Sequence, residues 1–113
     1  MDYEELIKIM DSIAVIEKEK ITRKEYVVHN LSFMKLRDVL INCSHILYED
    51  IERNIYIAEI KSGFFKKNAA ITAFQLDHNK LKVLIYSKEG LVNQKTTEGV
   101  INEIKSQLIN YIC

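Results

Sequence analysis

LSFMKLRDVLINCSHILYEDI, Leu31 to Ile51, is the one stretch of the chain in which a single period accounts for nearly every residue. Phe33, Leu36, Leu40, Cys43 and Leu47 recur at alternating steps of three and four, and Val39 and Ile46 widen the same face. Lys35, Asp38, Asn42, His45 and Glu49 repeat at that spacing on the opposite side. An α-helix gathers positions i, i+3, i+4 and i+7 on one side, so the spacing predicts a helix from about Ser32 to about Glu49, capped by Asn30 or Ser32. Its apolar stripe needs a flat apolar surface to lie on.

That surface is expected in the residues that follow. Asn54 to Lys61, Ala69 to Leu76 and Leu81 to Tyr86 are rich in Ile, Val, Tyr and Phe and read as three strands. Asp77-His78-Asn79-Lys80 is a tight connection of residues that tolerate positive φ, which makes the last two strands a hairpin. The spacing favours antiparallel pairing throughout. Thr96 to Ile112 follows as a helix with Val100, Ile104, Leu108 and Tyr111 on one face.

Before the central helix, Asp2 to Met10 reads as a short helix, with Asp2 and Glu5 as a capping box and Leu6, Ile9 and Met10 as its apolar face. Ile13 to Ile16 and Glu25 to His29 read as two antiparallel strands joined by a polar turn near Lys20 to Arg23. The expected order is therefore α-β-β-α-β-β-β-α. It describes one α+β domain over residues 1–113, with a single antiparallel sheet of about five strands and the central and C-terminal helices packed on one face. Ile55, Ile57, Ala70, Thr72, Phe74, Leu84 and Tyr86 supply more apolar strand positions than one buried face uses. The surplus calls for a cover, either the N-terminal helix or a second copy of the chain. In layout alone the order resembles Roadblock-type and longin-type domains, with a TBP-like half as the alternative; no residue motif carries the likeness.

Composition narrows the function classes. A chain of 113 residues with 48% hydrophobic and 28% charged residues is long enough to bury a core without disulfides or metals. Sixteen basic residues balance sixteen acidic ones, so nucleic-acid or membrane binding has to rest on a local patch. Near-zero net charge also leaves self-association little opposed. Cys43 and Cys113 form no disulfide framework, MDYEEL lacks the basic start of a signal peptide, and no apolar run is long enough to span a bilayer. A cytoplasmic location is expected.

No cluster carries catalytic chemistry. Cys43 and His45 point apart on a helix, and His29 and His78 stand alone, so no metal site is expected. Gly63, Gly90 and Gly99 are isolated, so there is no phosphate loop, and no cofactor is expected. Glu17, Glu19, Glu49, Asp50 and Glu52 fall in charge-rich turns and helix ends. One short stretch stands out: Phe64, Phe65, Lys66 and Lys67 place two adjacent aromatics beside two cations, where one ring of the pair is exposed if the stretch is extended. The sequence reads as a non-enzymatic protein-interaction module, an adaptor, regulator or inhibitor, that forms a homodimer and binds a second protein. The alternative is a nucleic-acid-binding protein that uses the Phe64 to Lys67 loop.

Overall fold

The structure, a computed structural model, describes residues 3–62, 68–87 and 95–112. Among the described residues the elements are α1 (Tyr3–Ile13), a 3₁₀ turn (Lys18–Lys20), β1 (Ile21–Val27), α2 (Phe33–Cys43), β2 (His45–Asp50), β3 (Ile55–Ser62), β4 (Asn68–Asp77), β5 (Lys80–Tyr86) and α3 (Lys95–Gln107). The strands form one antiparallel sheet in the order β1-β5-β4-β3-β2. The α+β class with a five-stranded antiparallel sheet is as expected.

The element order is not. One strand precedes α2 and four follow it, so the two-strand opening behind the Roadblock, longin and TBP-like likeness is missing. Ile13 to Ile16 is no strand: α1 runs on to Ile13, and the Ala14 N–H donates to Met10 O at 3.0 Å. Val15 is 91% exposed, while Ile16 is buried and Ala14 packs at the margin of the core. Packing of Leu6, Ile7 and Met10 against the sheet outweighs the β-propensity of a short β-branched run. The expected polar turn at Lys20 to Arg23 is largely strand, because β1 begins at Ile21 and pairs Ile21 with Tyr86 and Tyr26 with Leu81.

The β3, β4 and β5 meander stands as read. Asp77 pairs with Lys80, so His78 and Asn79 alone make the turn, with His78 at φ 55°. Asn54, at φ 55°, performs the same reversal between β2 and β3. Gln107 ends α3, and the chain then turns back so that Tyr111 O accepts from the His29 N–H at 2.9 Å and Ile112 bridges to Val28.

Both faces of the sheet are covered. On one, Leu36 and Leu40 of α2 and Val100 and Ile104 of α3 pack on Tyr56, Phe74, Val83 and Ile85. On the other, Leu6, Ile7 and Met10 of α1 pack on Ile55, Ile57, Ala73, Leu84 and Tyr86. The surplus of apolar strand positions is thus split between two clusters, and the cover over the second face is α1. Among the described residues it is α1, and not a second copy of the chain, that packs on this face. Tyr3 fastens α1 to the β1 edge: its ring lies 5.3 Å from the Arg23 guanidinium and 5.5 Å from Lys82 Nζ, and its hydroxyl donates to Lys24 O at 3.4 Å. The expected Asp2 cap lies outside the described residues.

The α1 cover sets a stability test. Met10→Ala should lower the urea unfolding free energy by about 2–4 kcal/mol, whereas Val15→Ala should change it by less than about 0.5 kcal/mol.

Candidate functional site: the edge formed by α2 and β2

The helix expected to reach Glu49 ends at Cys43. Its start is as read, with Ser32 Oγ accepting from the Lys35 N–H at 3.1 Å. At the other end Ser44 turns extended (φ −151°, ψ 175°), while its N–H and its hydroxyl both donate to Leu40 O. His45 to Asp50 then pairs with β3 instead of extending the helix.

β2 contains a bulge. Ile46 is opposite Ala58 and Tyr48 is opposite Ile57, so Leu47 has no partner in the register. In a regular strand Ile46 and Tyr48 would share a face. Here Ile46 packs with the cluster under α2 and α3, and Tyr48 packs with the cluster under α1. The bulge lets one short edge strand serve both cores, and it leaves Leu47 40% exposed at the margin.

Tyr56, in the centre of this corner, holds α2 against β2. Its ring stacks on Phe33 with centroids 4.1 Å apart and planes 8° apart. Its hydroxyl donates to Phe33 O at 3.0 Å and reaches Glu49 Oε1 at 3.5 Å. Burial, and then the negative charge of Glu49, push its ionisation up to about 12, so it stays a donor at any physiological pH. Glu49 also faces Arg37 of α2, with Oε2 3.6 Å from Nε. At the far end of β2, Asp50 accepts from Arg53 Nε at 2.6 Å and from the Arg53 backbone N–H at 3.1 Å. These bonds from Arg53 hold the Asp50 carboxyl below the usual aspartate range.

Between α2 and β2 lies a cleft of about 520 Å³, lined by Arg37, Ile41 and the run Ser44 to Glu49. Ile41 is 50% exposed and shares this cleft with Leu47, while Met34, 57% exposed, lies seven residues before Ile41 on the same helix. A smaller hollow of about 320 Å³ on the far side of Ser44 brings together Cys43, His45, Glu59, Lys61 and Glu103. Cys43 and His45 do not point apart as they would on a continuous helix, because the helix ends between them. Among the described residues, no group of three or more His, Cys, Asp or Glu side chains is placed to hold a metal ion.

The sequence-singled residues Phe64, Phe65, Lys66 and Lys67 lie outside the described residues. The edge itself was missed, since the helical reading placed Leu47 on the buried stripe. A signal was present: Met34 and Ile41 fit neither the apolar nor the polar face of that reading, yet they stand seven residues apart. Among the described residues no helix is long and apolar enough to cross a membrane. No protein-family model, curated protein or solved structure matches the chain.

Two measurements probe this corner. Tyr56→Phe should lower stability by about 1–2 kcal/mol in urea unfolding, through loss of the hydroxyl's bonds. Asp50, whose folded ionisation is depressed, stabilises the folded chain above the unfolded aspartate range, and that contribution is lost as pH falls through its folded midpoint. An NMR titration should place the Asp50 midpoint below that of an ordinary aspartate, and Arg53→Ala should raise it towards the usual value.

Proposed function

We propose that the protein is a non-enzymatic protein-interaction module, an adaptor, regulator or inhibitor, and that its binding surface is the edge formed by α2 and β2. One observation carries this reading. Met34, Ile41 and Leu47, three exposed apolar side chains, belong to the adjacent elements α2 and β2, with Ile41 and Leu47 in one cleft beside the outermost strand of the sheet. Single exposed apolar residues are ordinary, but apolar groups gathered beside a groove and an unpaired strand edge mark docking surfaces.

Both edges of the sheet carry charge, Arg23, Lys24 and Glu25 on β1 and Glu49 and Asp50 on β2. On β2 both carboxylates are matched within the chain, Glu49 by Arg37 and Asp50 by Arg53. The α2–β2 edge is also nearly balanced in charge, Lys35 and Arg37 against Asp38, Glu49 and Asp50. Nucleic acid prefers a local excess of cations, so this edge favours a protein partner.

Photo-crosslinking tests the reading. A benzophenone amino acid at position 47 should give a discrete protein adduct in cells, and the same group at Val15, exposed just after the end of α1, should not. Equal labelling from both positions, or adducts from neither, would count against the edge as the binding surface.

A further inference from the structure

β1 is an edge strand with an open outer side. Among the described residues β5 is its one neighbour in the sheet, and the register from Ile21 to Val27 runs without a shift. The Val28 N–H donates to Asn79 O on the β5 side at 2.7 Å. Backbone groups alternate along an antiparallel strand, so Thr22, Lys24 and Tyr26 bond to β5 while Arg23 and Glu25 turn their N–H and C=O groups outward. The same alternation sends the His29 N–H outward, where Tyr111 O takes it and Ile112 bridges Val28. The C-terminal turn thus closes the outer side from Val28 on and leaves it open across the exposed run Arg23-Lys24-Glu25.

That run matches a second copy of itself. Two copies joined edge to edge about a two-fold axis normal to the sheet keep the same faces on the same sides, so one residue of β1 has to stand opposite itself. With Lys24 on the axis, Arg23 lies directly opposite Glu25 of the second copy, and Glu25 opposite its Arg23. Directly opposite residues share a face and lie close enough to pair, and these residues also exchange their outward backbone groups. Thr22 then stands opposite Tyr26, a β-branched residue against an aromatic. An axis through Arg23 would set guanidinium against guanidinium. One through Glu25 would bring Thr22 against Val28, where Ile112 already sits.

The second copy also continues a pattern of the first. Glu25 is opposite Lys82 on β5, so in the joined sheet it lies between two cations, Lys82 and Arg23 of the second copy. Within the chain Arg23 has Glu4 at 4.0 Å, both side chains more than half exposed, and its guanidinium has donors left for a second carboxylate. Lys24 facing its own copy opposes the contact and keeps it weak.

We propose that β1 pairs antiparallel with β1 of a second copy about an axis at Lys24, from Thr22 to Tyr26 of each chain. A ladder this short makes a concentration-dependent dimer. The α2–β2 edges stand at the two far ends of the joined sheets, so the docking surface is presented twice and holds two partner molecules at once. Only that bivalence rests on the proposed function; the β1 contact does not.

Sedimentation velocity of the whole chain, with circular dichroism as the check on folding, tests the pairing. Arg23→Glu sets glutamate against glutamate, and Glu25→Arg sets arginine against arginine. Each variant alone should dimerise about tenfold or more weakly than the unaltered chain. An equimolar mixture of the two restores both opposite-charge pairs and should recover the dimer. Lys24→Thr removes the repulsion at the axis and should tighten dimerisation. Should a charge variant not fold, amide exchange of the unaltered chain decides: the Arg23 and Glu25 N–H groups should slow as concentration rises, while that of Lys24, already bonded to β5, is slow throughout. A chain that stays monomeric up to millimolar concentration, a dimer whose Arg23 and Glu25 amides exchange freely, or a folded mixture that does not recover would each overturn the pairing. Crosslinking from position 47 reads the opposite edge, so the docking surface stands or falls separately.

Discussion

The middle of the sheet is buried on both sides, and the other elements are arranged around that constraint. Antiparallel sheets commonly leave one face to water and alternate apolar with polar residues. Here Ile55, Tyr56, Ile57 and Ala58 are buried in succession on β3, as are Val83, Leu84, Ile85 and Tyr86 on β5. Such strands need two covers. α2 and α3 supply one and α1 the other, so α1 is part of the core although it is short and stands at one end of the described chain. Three turns of helix are marginal in isolation; the sheet face beneath them keeps α1 helical.

The same constraint shapes the edge. β3 is buried, and its backbone groups on the side away from β4 require hydrogen-bond partners. β2 provides them, which is why His45 to Asp50 joins the sheet although its spacing also suits a helix. Since β2 lies against two cores at once, its side chains cannot simply alternate. The bulge at Leu47 reconciles them, sending Ile46 to one core and Tyr48 to the other. Tyr56 then ties the arrangement together, joining the first turn of α2 to β2 through Phe33 and Glu49.

The proposed docking surface is a by-product of that accommodation. A regular edge strand would turn each side chain to one face or the other, and a longer helix would carry Leu47 inward. A helix stopped at Cys43 and a strand bulged at Leu47 instead leave Ile41 and Leu47 outside, next to each other and beside Arg37 and Glu49. The exposed apolar group lies in a corner that the packing of two cores already holds in place, and a pre-formed surface loses little freedom when something docks on it.

Much of the fold was legible because it is local. The β4–β5 hairpin follows from turn residues that accept positive φ, the start of α2 from Ser32, and the helical face of α3 from Val100 and Ile104. The surplus of apolar strand positions also correctly implied a second cover. Spacing along the chain could not say where α2 stops, because Ile46 and Leu47 suit a helical stripe and a bulged strand equally well. Nor could it say that Ile13 to Ile16 belongs to the end of a helix and its exit. Those outcomes depend on which surfaces and which unpaired backbone groups lie nearby once the chain is folded. The sequence by itself determined the α+β class, the central meander and the need to bury both faces of the sheet. Only the tertiary structure decided the partner of β3 and the side chains left at the edge, because hydrogen-bond demand and burial at those positions come from residues distant in the chain.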